Sequence, residues 1–266
     1  TGEGLNVILG TSPYIEEDGK VTPADEKVKL NIMIMLNEKY GITESDFISA
    51  ELCIVPAQNT VDVGMDRWLI GSYGHDDRVC AYPALTALIE TADSAHTCMA
   101  VLADKEETGS DGVTGMQNCL LFDIIDELAK NLDGNTNVVR MNSKCLSADV
   151  TVCYDPNYPE VSERRNSSLL HCGVGLSKYT GSGGKGGTND ASAELVGFVR
   201  KIFDEAGVIW QTAELGKVDQ GGGGTVAAYI ANLNVDTIDV GVPVLSMHAP
   251  FETVSKIDVY MTYKAF

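Results

Sequence analysis

The chain has 266 residues, a formal net charge of −19, 44% hydrophobic residues and 21% charged residues. This length accommodates one large domain, or one domain and a smaller module, and the composition is ordinary for a globular protein. The excess of acidic residues excludes nucleic acid as an expected partner, because a phosphate backbone is held by basic groups. No apolar run approaches the roughly 20 residues that would predict a membrane-spanning segment, so we expect no membrane partner.

The first part of the chain predicts a small α/β module. Residues 22–41 predict a helix, because Thr22 is a suitable N-cap and Pro23 suits the first turn. The apolar run at 47–57 predicts a strand that a proline ends. We expect this module to extend to about residue 68.

Strands and helices alternate in the rest of the chain. Short apolar runs predict strands at 96–104, 137–152 and 235–250. Helical periodicity and capping residues predict helices at 78–91, 114–131, 191–208, 225–233 and 251–264. This alternation predicts an α/β fold with a mainly parallel or mixed central sheet and helices on both faces.

Polar side chains follow several of the apolar runs, where α/β proteins bind their ligands. They are Asp76 and Asp77 after "WLIGSYGH", Glu106 and Glu107 after "MAVLADK", Asp149 after "CLSA" and His248 after "VPVLSM". Each has an ordinary alternative explanation: a helix cap, a solvated acidic pair, or a hydrogen-bonded core histidine. Their coincidence at strand ends favours a functional site.

Carboxylates with one imidazole suit zinc, manganese or cobalt. A bridging aspartate holds two such cations about 3.5–4 Å apart in two-metal hydrolases. The adjacent glutamates then take different roles. One ligates a cation, and the other accepts a proton from the attacking water and returns it to the leaving group.

Several motifs, in this order, resemble the aspartyl aminopeptidase family of co-catalytic zinc metallopeptidases. They are "GHDDRVCAY" (74–82), "ADKEETGS" (103–110), "SADVTVCYDPNYPEV" (147–161), "KYTGSGGKGGTNDASAE" (178–194), "GGGGT" (221–225) and "SMHAPFE" (246–252). The resemblance covers essentially the whole chain and implies a zinc-exopeptidase-like fold. It assigns residues 1–68 to part of an inserted dimerization domain and 69–266 to the catalytic domain.

The resemblance also implies roles for individual residues. Asp76 bridges two divalent cations, Glu107 and His248 complete the ligands of the first, and Asp149 binds the second. Glu106 is the general base. Zinc is the expected metal, with manganese and cobalt as alternatives.

Two features depart from the family pattern. The family supplies a further histidine ligand from a His-x-Asp motif that precedes the insert, whereas the resemblance implies that this sequence begins inside the insert. We therefore expect the N-terminal part of the catalytic domain to be absent from this chain and its second cation site to be incomplete. The family also commonly has a histidine in the stretch that reads "VTVCYDPNY" here, which leaves the preference for acidic substrates open.

Two glycine-rich loops are candidates for substrate binding. Lys178 or Lys185 is available to meet a substrate carboxylate, although a solvated loop is an equally good interpretation for Lys185. The backbone N–H groups of Gly223, Gly224 and Thr225 precede a predicted helix and are suited to bind a carbonyl or carboxylate oxygen. A plain tight turn is the alternative.

We predict a metallo-aminopeptidase that removes N-terminal residues, acidic ones among the candidates, from peptides by metal-activated water. The alternatives are another two-metal amide hydrolase, such as a deacylase or carboxypeptidase, and a truncated non-catalytic assembly subunit. The resemblance implies a homo-oligomer built from dimers, up to a dodecamer. The seven scattered cysteines include no CxxC pair, which favours reduced thiols and a cytoplasmic location.

Overall fold

The chain divides into two units, Thr1–Ile54 and Val55–Phe266, in the computed structural model. The residues described are 4, 6–15, 24–183, 186–187, 189–217 and 219–266. The predicted cap Thr22, the neighbouring Pro23 and the candidate Lys185 lie outside the described residues. Within the described part, no helix combines the length and the apolar character that crossing a membrane requires.

The first unit contains helix α1 (Ala24–Tyr40) and a 3₁₀ turn at Glu44–Ile48. The predicted strand at 47–57 is wrong, because this turn and extended residues without a ladder occupy that stretch. Asp46 Oδ2 accepts hydrogen bonds from the Thr43 backbone N–H and hydroxyl, at 2.7 and 2.8 Å. This local capping stabilises a turn where the apolar run favoured a strand.

The second unit contains short strands and helices in alternation. Its strands are β1 (Val61–Val63), β2 (Leu69–Ser72), β3 (Lys144–Ala148), β4 (Thr151–Val152), β5 (Val174–Ser177), β6 (Gly181–Ser182), β7 (Trp210–Thr212), β8 (Gly222–Gly223), β9 (Asp236–Gly241), β10 (Pro243–Leu245) and β11 (Glu252–Ser255). Its helices are α2 (His75–Glu90), α3 (Leu120–Asn131), α4 (Thr136–Asn142), α5 (Ala193–Ala206), α6 (Ala227–Ala231) and α7 (Lys256–Ala265).

Two mixed sheets, ordered β1-β2-β11-β10-β4 and β3-β9-β5-β7, form the centre of this unit. Strand β3 pairs in parallel with β9, and β4 pairs in parallel with β10. Because β4 directly follows β3 and β10 directly follows β9, the two pairs are consecutive along the chain. The Thr151 N–H donates to the Val242 carbonyl at 2.9 Å and links them. The observed class is α/β with mixed sheets, as predicted.

Three predicted elements of the second unit differ in type from the structure. The strand predicted from residue 137 begins as helix α4, because the Asn135 side chain accepts hydrogen bonds from the backbone N–H groups of Asn137 and Val138 and caps a helix there. The helix predicted at 251–264 begins as β11 and becomes helical only after Ser255, which caps α7. Residues 96–104 form no strand ladder with any described residue.

The core consists of two clusters of buried side chains. In one, Leu195, Val199 and Phe203 on a single face of α5 pack with the buried residues of β5 and β9. In the other, Cys80 of α2 packs with valines of β10 and β11. The second cluster supports the ends of the strands that carry the predicted acids and His248.

Candidate metal centre

Three of the predicted ligands converge. Nε2 of His248 lies 3.1 Å from Oδ2 of Asp76 and 3.1 Å from Oε2 of Glu107. The ligand atoms of all three residues lie within 4.8 Å of one another. Asp76 and Glu107 are 31 residues apart in the sequence, His248 lies 141 residues after Glu107, and the fold brings the three side chains to one point.

Each of these residues follows a turn that fixes its direction. Asp76 comes after β2 and Gly74, whose φ of +75° is readily adopted by glycine. His248 comes after β10 and has a φ of +65°. Glu107 lies in a 3₁₀ turn, Glu106–Thr108, which is flanked by two left-handed residues. Adjacent side chains of such a turn diverge, so Glu106 and Glu107 are free to take different partners.

Asp76 also belongs to a second group, with Asp77 and Asp149, whose ligand atoms lie within 4.8 Å of one another. Asp149 lies between β3 and β4, beside Gly241 of the parallel strand β9. A Cβ at position 241 would lie 1.5 Å from the Asp149 carbonyl oxygen, so only glycine permits this approach. Asp76 therefore belongs to both groups of ligand atoms, which is the arrangement that the predicted bridging role requires.

The other histidines lie elsewhere. His75 Nε2 is 3.2 Å from the Ile70 carbonyl oxygen, and His171 Nδ1 is 2.8 Å from the Ser255 hydroxyl. His96 is exposed. Among the described residues, the two groups of ligand atoms contain His248 and no other histidine. The incomplete second set of ligands stays a prediction.

The acids of the site are crowded and poorly solvated. Burial, followed by the hydrogen bond and the charge of Glu107, raises the pKa of Asp76 to about 8. Burial also raises the pKa of Asp77 and of Asp149 well above the usual range, and the neighbouring acids add to the effect on Asp149. Crowded carboxylates of this kind favour either a proton or a bound cation.

Glu106 lies beside these groups without being one of the converging ligands. Burial raises its pKa, the charge of Glu107 raises it further, and His248 offsets part of the rise. A carboxyl whose pKa is raised towards neutrality is a better proton acceptor and donor than a fully exposed glutamate. This is the property that the general-base role requires.

Glu252 is a site residue that the sequence interpretation missed. It is 2% exposed, and its two carboxylate oxygens accept from two backbones: Oε2 from the Asp76 N–H at 3.0 Å and Oε1 from the His248 N–H at 2.8 Å. Glu252 therefore fixes the backbones of two candidate ligands, Asp76 and His248, relative to one another. The sequence signal was an acid four residues after His248 in "SMHAPFE".

We expect Glu252→Gln to weaken zinc binding about tenfold or more in the full-length protein. Glutamine has one acceptor oxygen and one NH₂ group, so one of the two backbone N–H groups would face a donor and be left unpaired. Isothermal titration of the metal-free variant with Zn²⁺ measures the effect. Glu205→Gln, an exposed change on α5, is the control, and equal affinities for the two variants would contradict the role of Glu252.

The predicted substrate-binding residues lie in a separate ribbon. Strands β6 and β8 pair Gly181 with Gly223, which brings the two glycine-rich loops together. Lys178, just before this ribbon, forms an ion pair with Asp190. Thr225 is buried, and the groups of converging ligand atoms include neither it nor its glycine neighbours. The helix expected after this loop is the five-residue α6, which begins at Ala227.

The donor set fits zinc. Aspartate, glutamate and histidine are the ligand types of catalytic zinc sites, which use three protein ligands and leave a position open. Among the described residues, the Nε2 atom of His248 pairs with the carboxylates of Asp76 and Glu107. Burial is the main cause of the raised pKa of Asp76, and a divalent charge at the centre of Asp76, Glu107 and His248 would also offset the part that the charge of Glu107 adds.

Residues 2–266 match the family described as aminopeptidase I zinc metalloprotease, M18. A Clostridium acetobutylicum protein named "Probable M18 family aminopeptidase 1" is 47% identical over 100% of this chain and 57% of its own length. The crystal structure of aminopeptidase I from Clostridium acetobutylicum gives a TM-score of 0.88 at 47% identity, over 98% of this chain and 56% of that one. A structure of the S. cerevisiae mApe1 dodecamer, 22% identical over 95% of this chain and 57% of that one, gives 0.70 and shows the same fold. The chain thus spans little more than half the length of these proteins.

Proposed function

Because the chain belongs to the M18 family of aminopeptidase I zinc metalloproteases, we propose that the full-length protein removes N-terminal residues from peptides. The observation that carries this proposal is the convergence of Asp76, Glu107 and His248 on one point, with Glu106 beside them. Family membership confirms the resemblance on which the sequence interpretation drew. It does not favour a deacylase, a carboxypeptidase or a subunit without activity.

In the proposed mechanism, Asp76, Glu107 and His248 would hold one zinc ion, and Asp76 and Asp149 would contribute to a second site. When bound, zinc would supply Lewis-acid chemistry at this site. Glu106 accepts the proton of the attacking water and donates it to the leaving amine. Glu252 keeps the backbones of Asp76 and His248 fixed while this happens.

A substrate panel tests the proposed reaction. Full-length protein loaded with Zn²⁺ is incubated with peptides that have a free N-terminus, with the same peptides acetylated, and with acylated amino acids. We expect release of the N-terminal residue from the free peptides alone. Turnover confined to acylated amino acids would indicate a deacylase, release from the C-terminus a carboxypeptidase, and no turnover with any divalent cation an assembly subunit.

We propose that Lys178 meets the side-chain carboxylate of an acidic N-terminal residue, in competition with Asp190. Asp190→Asn should lower the KM for peptides that begin with glutamate by up to about fivefold, because an exposed ion pair is worth up to about 1 kcal/mol. The KM for peptides that begin with leucine is the internal control. An equal change in KM for the glutamate and leucine peptides would show that Asp190 affects the glycine-rich loop as a whole and does not act through Lys178.

We also propose that residues 1–68 form part of a dimerization domain, although β1, within this range, pairs with β2 of the larger unit. A homo-oligomer built from dimers is the proposed assembly, supported by the dodecamer reported for the yeast relative of the same fold. All seven cysteines are free thiols, which supports a cytoplasmic location.

A further inference from the structure

Asp239 is a buried carboxylate outside the proposed ligands. It lies in β9, is 5% exposed, and its Oδ1 accepts a hydrogen bond of 2.6 Å from the Thr225 hydroxyl. Among the described residues, its Oδ2 accepts no hydrogen bond, although the nearby Ser147 hydroxyl offsets part of the effect of burial on its pKa. An apolar residue at this position would avoid the penalty of burying a carboxylate. Stability alone therefore does not explain why a carboxylate occupies this position and bonds to Thr225.

Asp239 occupies a junction in the sheet. Its cross-strand neighbours are Ser147 of β3 on one side and Ser177 of β5 on the other. Ser147 precedes the proposed ligand Asp149 by two residues, and Ser177 directly precedes Lys178. Asp239 thus lies between the strand that leads to the metal centre and the strand that leads to the candidate substrate-binding ribbon.

Thr225 connects this junction to the loop that it ends, Gly221–Gly224. Its hydroxyl oxygen also accepts from the Ala227 N–H at 3.3 Å, at the start of α6. The loop has no side chains with which to hold itself in place, and Gly222, with a φ of +95°, passes so close to Gly181 that a Cβ would lie 1.9 Å from its carbonyl oxygen. Backbone pairing with β6 fixes the loop on one side, and Thr225 fixes its end.

We propose that Asp239 is a positioning residue that holds the Gly221–Gly224 loop in its substrate-binding conformation through the Thr225 hydroxyl. This inference rests on the proposed aminopeptidase function and on the prediction that the backbone N–H groups of this loop bind a carbonyl or carboxylate oxygen of the peptide. Asp239 itself does not touch substrate. A deformable loop would still permit the reaction once substrate is bound, so the loss of this contact should raise KM more than it lowers kcat.

The test compares Thr225→Val, which removes the hydroxyl at similar volume, with Thr225→Ser, which keeps it, in the full-length zinc-loaded protein. Thr225→Val should raise the KM for a peptide with a free N-terminus about tenfold, with kcat and zinc content within about twofold of wild type. Thr225→Ser should restore the wild-type KM. Hydrogen exchange of the amides at 221–224 should be faster in Thr225→Val alone. Ser168→Ala, a buried change outside this junction, is the control.

A double-mutant cycle tests whether Asp239 acts through Thr225. Asp239→Asn should change KM in the wild-type background and add nothing in Thr225→Val. Full additivity, a wild-type KM and exchange rate in Thr225→Val, or equal damage from valine and serine would each overturn the inference. If the wild-type protein cleaves no peptide, the proposed function fails, and the exchange rates alone decide whether this bond holds the loop.

Discussion

Glu106→Gln is expected to lower kcat about 10²- to 10⁴-fold while zinc content stays at the wild-type level, because it removes the general base and leaves the converging ligands in place. The amide is nearly isosteric with the acid but accepts no proton at neutral pH. Measurements of kcat by release of the N-terminal residue, and of zinc by mass spectrometry on the same sample, separate the two effects.

The comparison with Glu107→Gln makes this test sharper. Glu107 lies within 3.1 Å of His248, so its substitution should reduce both zinc content and activity. Glu205→Gln, an exposed glutamate on α5, should change neither. The roles of the two adjacent glutamates would be reversed if Glu106→Gln lost zinc and Glu107→Gln kept it. A kcat within a fewfold of wild type in zinc-replete Glu106→Gln would exclude Glu106 as the base.

Asp76→Asn is expected to abolish activity and zinc binding, and yet to raise the melting temperature of the metal-free protein. Asp76 belongs to both groups of ligand atoms, so its loss affects both proposed cation sites. Burial and Glu107 raise its pKa to about 8 in the folded chain. A carboxyl whose pKa is higher in the folded state than in the unfolded state destabilises the fold once the pH exceeds its unfolded value, near 4. A neutral amide removes that penalty at pH 7.

The sign of the effect should therefore reverse with metal. Without zinc, Asp76→Asn should melt above wild type at pH 7, and the difference should shrink as the pH falls towards 4, where the wild-type acid is protonated. With zinc, wild type should be stabilised and the variant should not. Asp133→Asn, an exposed change in a loop, is the control. A metal-free variant that melts below wild type would argue that Asp76 is a structural residue.

The sequence predicted the group of converging side chains because its members follow local signals. Asp76 and His248 come after apolar runs that form β2 and β10, and the ends of such strands meet in an α/β fold. Glu107 also follows an apolar run, although that run forms no ladder with any described residue. Asp149 was found by the same rule, although in the structure it lies between two successive short strands rather than at the end of the last one. The convergence of these side chains was thus predictable from their positions after apolar runs.

Other features depend on contacts that no local pattern shows. Glu252 was missed because its role requires that its two oxygens reach backbones 176 and 4 residues away. The run at 96–104 has the composition of a buried strand, but strand formation requires a neighbouring strand, and no described residue supplies one. At Thr136–Asn142, a side-chain cap from Asn135 outweighed the β-branched residues that favoured a strand.

A crystal structure of the full-length protein grown with zinc, with anomalous data collected at the zinc absorption edge, tests the central claim most directly. We expect an anomalous peak about 2.0–2.2 Å from a carboxylate oxygen of Asp76, a carboxylate oxygen of Glu107 and Nε2 of His248. Zinc held by other residues, or a zinc-replete crystal with no peak between these three side chains, would contradict the claim.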